Sequence, residues 1–96
     1  MTNQDFYNAL KVEKERLMNE SEQAFNDCQT KHGEMSRAWN EVDALEEAGK
    51  FGTQELSDAY DAYEEAIHAS MLANNYFDDI DEAIDKINEL MSLYAD

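Results

Sequence analysis

Ninety-six residues carry seven Lys or Arg against 23 Asp or Glu, a formal net charge of −16, and this excludes direct binding to nucleic acid or to anionic lipid, both of which repel a strongly negative surface. A hydrophobic content of 43% excludes the disordered class, because the chain holds enough apolar groups to build a core. The single Cys28 excludes an intramolecular disulfide and no apolar run is long enough for a membrane span; the polar start MTNQDFYN has no leader pattern, so a cytoplasmic protein is expected.

In chain order, the composition predicts one helical domain over residues 1–96. Proline is absent, and the only clustered breakers are Gly49 and Gly52 in EEAGKFGTQEL. The first arm is expected at about 4–48, a turn at 49–53, and the second arm at about 54–94, with Thr53 capping its start. In the first arm the apolar stripe is Leu10, Leu17, Phe25, Cys28, Met35, Trp39, Val42 and Leu45. In the second it is Leu56, Tyr60, Tyr63, Ile67, Ser70, Asn74, Phe77, Ile84 and Met91, with Asp81 and Asn88 at intervening places.

Folding the arms back about Phe51 brings Phe25 opposite Phe77 and Trp39 opposite Tyr63. The expected fold class is therefore all-α, an antiparallel helical hairpin of two long helices, each arm about 40 residues or roughly 60 Å. Kinks are expected near Gly33 and near Asn74-Asn75, and a chain broken at both places would be a four-helix monomer instead. Beside the second stripe runs another, including Ala62, Ala66, Ala69, Ala73, Tyr76, Ile80 and Ile87. Two helices have room for one seam, so this column is expected to be a dimer interface, completing a four-helix bundle from two chains. Tyr7, Tyr76 and Tyr94, at the margin of the main stripe, are further interface candidates, whereas Trp39 and Tyr63 are expected in the core.

Charge divides unevenly. Residues 1–40 hold seven acids and five bases, whereas residues 41–96 hold sixteen acids with only Lys50 and Lys86. Asp58, Asp61 and Glu65, then Asp78, Asp81, Glu82, Asp85 and Glu89, recur at three or four residues, which sets carboxylates about 5–6 Å apart along one side of a helix. A stiff helical rod with carboxylate rows presents what a phosphate-binding cleft is built to hold. In size and composition the chain resembles the small acidic inhibitors that bacteriophages make against host nucleic-acid enzymes. That resemblance implies a basic partner protein, a nucleic-acid-binding enzyme among the candidates.

The expected function is a non-enzymatic acidic binding protein of this mimic type. The alternative is a coiled-coil structural or assembly protein that works through its Ala-rich stripe, with the acids serving only solubility.

No pattern points to catalysis or to a cofactor. Glu65-Ala-Ile-His68 has the Glu-x-x-His spacing of ferritin-like metal bundles, with Glu34 or Glu41 as further ligands, but it lies opposite the apolar stripe, so a metal-binding bundle is a remote alternative. Cys28 and His32 supply two ligands where a closed zinc site needs four. DDIDEAIDKINE lacks the glycine at the sixth position of a calcium loop and continues the helical stripe.

Overall fold

The computed structural model describes residues 2–95. It is all-helical: α1 spans Asn3–Glu47 and α2 spans Gln54–Tyr94, joined by one short turn and with no strand among the described residues, consistent with a helical hairpin. Local chemistry sets each boundary. At the start of α1 the Thr2 hydroxyl accepts the Asp5 amide at 3.2 Å while the Asp5 carboxylate accepts the Thr2 amide at 2.9 Å. This reciprocal cap satisfies two backbone donors that no helical carbonyl can reach.

At the other end of α1 the amide of Lys50 donates to the carbonyl of Leu45 and that of Gly49 to the carbonyl of Glu46, both at 3.0 Å. That pair of bonds requires a left-handed residue, and Gly49 supplies it at φ 73°. Gly52 repeats the conformation at φ 74°, after which the Thr53 hydroxyl accepts the Leu56 amide at 3.2 Å and opens α2. Helical backbone continues through Gly33 and through Asn74-Asn75, so the broken four-helix arrangement is not formed. One glycine costs about 1 kcal/mol of helix propensity, and residues packed on either side outweigh it.

The chain divides into two compact units. The first joins the N-terminal half of α1, as far as Phe25, to α2 from Asn75 onward. Its core is Leu17, Ala24, Ile80 and Ile87, with Leu10, Phe77, Ile84 and Met91 packed against them. Two aromatic pairs flank this core: Phe25 on Phe77 with ring centres 5.9 Å apart, and Phe6 stacked on Tyr94 at 5.3 Å.

The second unit is Asn26–Asn74 and contains the turn. Val42, Leu56 and Ala59 form its core beside Leu45 and Tyr63, and Trp39 meets Tyr63 at 5.0 Å. Farther from the turn half-buried Met35 on α1 and Ile67 on α2 stand among smaller or polar inward residues: Cys28, Lys31 and Ala38 on α1, Ala66, Ser70 and Ala73 on α2.

The buried column of α2 corrects the stripe expected from the sequence. Inward positions run Leu56, Ala59, Tyr63, Ala66, Ser70, Ala73 in the second unit and Phe77, Ile80, Ile84, Ile87, Met91 in the first, alternating steps of three and four. Ala59, Ala73, Ile80 and Ile87 are buried where Tyr60, Asn74, Asp81 and Asn88 were expected, and those four stay exposed.

The reason is polar desolvation. Two adjacent columns share one period, but turning Asn74, Asp81 and Asn88 inward would bury polar groups without partners, at roughly 1–3 kcal/mol each. The small alanines also let the helices approach closely. Ala73, Ile80 and Ile87, expected to face a second copy, are therefore covered within the chain. Ala66 and Ala69 are half-buried, and only Ala62 and Tyr76 of that set are exposed. Trp39, expected in the core, lies at the seam's edge and is 45% exposed.

Candidate functional site

The eight carboxylates singled out on α2 are all exposed. In the second unit they are Asp58, Asp61 and Glu65; Asp58 accepts a hydrogen bond from the Gln54 side chain at 2.8 Å. In the first unit Asp78, Asp81, Glu82, Asp85 and Glu89 occupy positions one helical turn apart, turned from the inward column of Ile80, Ile84 and Ile87. Burial of that column is what directs the acids outward, because a period near 3.5 leaves every other column facing solvent.

Their electrostatic setting differs from that of Glu13, Glu20 and Glu34 on α1. Arg16 bridges Glu13 and Glu20, and Lys31 lies 3.8 Å from Glu34. The hydrogen bond from Arg16 lowers the Glu13 carboxyl below its usual range, and the same bond raises the guanidinium of Arg16 further. Lys50 is 3.3 Å from Glu55 at the turn. Among the described residues no ion pair reaches any of the eight α2 carboxylates.

Other expected or excluded chemistry can be placed as well. Glu65 and His68 are both exposed, and among the described residues no three His, Cys, Asp or Glu side chains form a group able to hold a metal ion. Cys28 is half-buried and His32 exposed. Tyr60 donates its hydroxyl to Glu46 across the start of the hairpin turn, and this bond raises the phenol above its ordinary value. No helix among the described residues is long and apolar enough to cross a membrane.

Sequence reasoning missed an apolar feature beside these acids. In the first unit an open groove of about 510 Å³ lies along one edge of the seam, with Met18, Phe25, Phe77 and Ile84 as its apolar lining. It stays open because polar Asn88 on α2 and small Ser21 on α1 line it where larger apolar side chains would close it over Phe77 and Ile84. The signal was available: Met18, Phe25 and Trp39 fall in one column of α1 at multiples of seven residues, immediately beside the inward column.

Searches against protein-family models, curated proteins and solved structures find no match to this chain, so its function is argued from its own residues.

Proposed function

We propose that this chain is a non-enzymatic binding protein whose α2 carboxylates engage the basic surface of a partner protein, of the kind that holds nucleic-acid phosphates. The observation that carries this reading is the contrast in pairing. On α1 Arg16 and Lys31 pair with Glu13, Glu20 and Glu34, whereas among the described residues none of the eight exposed carboxylates of α2 has a cation within ion-pair distance, and residues 54–94 hold a single Lys or Arg, Lys86. Exposed like charges one turn apart destabilise a helix by about 0.2–0.5 kcal/mol per pair. A cationic partner relieves that repulsion on binding and displaces condensed cations, so affinity falls as salt rises.

The test is capture on the immobilised protein, with three challenges applied to whatever is retained: salt, duplex DNA, and replacement of the bait by the triple variant Asp78→Lys, Asp81→Lys, Asp85→Lys. A partner released by salt and by DNA, and absent from the variant, supports occupation of a phosphate-binding surface. Retention through high salt, on wild type and variant alike, rejects it.

Self-association is a second reading, favoured by apolar groups that remain uncovered on α2 in the first unit: Tyr76, Leu90 and Leu93 are 55%, 43% and 76% exposed. Pairing two copies brings two charges of −16 together, so dimerisation strengthens with added salt while binding to a basic partner weakens. Sedimentation at low and high salt separates the two; a monomer at both rejects the four-helix bundle of two chains.

A further inference from the structure

We infer that the groove of the first unit is a docking site for an amphipathic helix of another protein, with apolar anchors on one face and Lys or Arg on the flank that meets α2. The inference rests on the proposed reading for the partner's positive charge. What it adds is a place and a shape.

The apolar content of the groove is exposed rather than sealed: Met18 is 53% and Phe25 49% open to solvent. Met18 and Phe25 are seven residues apart on α1, as are Phe77 and Ile84 on α2, so each wall offers contacts separated by two helical turns. A third helix lying along the seam meets them with side chains at i, i+3 or i+4, and i+7, the register by which amphipathic helices enter apolar grooves.

The banks decide which helix. Glu22 and Lys14 both line the groove, and beyond the lining exposed Lys11 and Glu15 balance each other on α1, whereas Asp78, Asp81 and Asp85, all exposed on α2 beside Phe77 and Ile84, meet no base there. Flanking charges select partners in helical bundles by sign, and these select a basic helix. They oppose a second copy of this chain, which brings a further −16.

The probe is an 18-residue peptide of leucine and lysine, with leucines at helical anchor spacing, compared with a scrambled peptide of identical composition. Both are titrated into the whole protein carrying ¹³C-methyl methionine. The patterned peptide is expected to bind at least about tenfold more tightly than the scrambled one. It should shift the Met18 methyl and leave that of Met71, in the other unit, unmoved. Met18→Gln, a change at a half-exposed position checked for helicity by circular dichroism, should reduce affinity by about tenfold. Asp58→Lys with Asp61→Lys, in the second unit, should change it by less than about threefold.

Equal, salt-sensitive binding of both peptides overturns the groove and leaves the acidic reading standing. Binding of neither overturns both. A Met18 methyl that shifts on dilution of the protein alone overturns the inference by making a second copy the occupant.

Discussion

The two units use the same helix pair and the same inward spacing, yet fill their seams differently. In the first, Leu17, Ile80 and Ile87 are buried with Phe77, Ile84 and Met91 against them. In the second, the large buried apolar groups gather near the turn around Val42 and Leu56, and the stretch beyond holds half-buried Met35 and Ile67 among Cys28, Lys31, Ala66, Ser70 and Ala73. Burying an Ile or Leu side chain contributes about 1.5–3 kcal/mol, and alanine and serine contribute much less. The comparison teaches that uniform helical patterning does not imply uniform stability. One unit has buried Leu and Ile spread along its seam, while the other concentrates its large buried apolar groups beside the turn and an aromatic pair.

The largest way to break that contrast is to truncate its stronger side. Ile80→Ala is expected to cost about 2–4 kcal/mol, read as a lower urea midpoint, because the helices cannot collapse fully onto the space left. A loss no greater than that of Ala73→Gly in the second unit would show the two seams to be equivalent. Hydrogen exchange sharpens the same point without mutation. Amides at 80–87 are expected to exchange at least about tenfold more slowly than those at 66–73, since local opening costs more where more apolar surface is exposed.

Gly33→Ala moves the balance the other way. Nothing lies within 4 Å of the position an added Cβ would take, so the substitution should stabilise the protein by about 0.5–1 kcal/mol and raise its thermal midpoint. Alanine at Gly49, held at φ 73°, should instead cost about 1 kcal/mol, and a gain there would contradict the turn geometry.

The smallest expected effect is at alkaline pH. Because the bond to Glu46 raises the Tyr60 phenol, its contribution is complete below about pH 10 and is lost as pH rises through the higher folded-state value. Tyr60→Phe should remove that alkaline step from a stability–pH curve. Glu13 behaves oppositely: its lowered carboxyl contributes above the ordinary carboxylate range and is lost only as pH falls through the lowered folded-state value.

Much of this was legible in the residues. Gly49, Gly52 and Thr53 announce the turn because only a residue free to adopt positive φ ends a helix this way, and a hydroxyl at the next start caps the following one. The aromatic pairs Phe25 with Phe77 and Trp39 with Tyr63 follow from folding two equal periods about that turn. The capping role of Thr2 was equally local, in the spacing of Thr2 and Asp5, and was missed because the apolar stripe begins later. The groove at Met18 was legible only in part: the column of Met18, Phe25 and Trp39 shows in the residues, but which edge of α2 lies beside it does not.

Sequence by itself thus determined the helices, their turn and the outward excess of negative charge, all of which depend on near neighbours along the chain. Tertiary structure decided which of two adjacent apolar columns on α2 turns inward. Both columns have the same period, and only contact with α1 distinguishes close packing of Ala59, Ala73, Ile80 and Ile87 from the desolvation of Asn74, Asp81 and Asn88. That choice left the alanines largely inside, the carboxylates outside, and an apolar groove open beside the acids of α2.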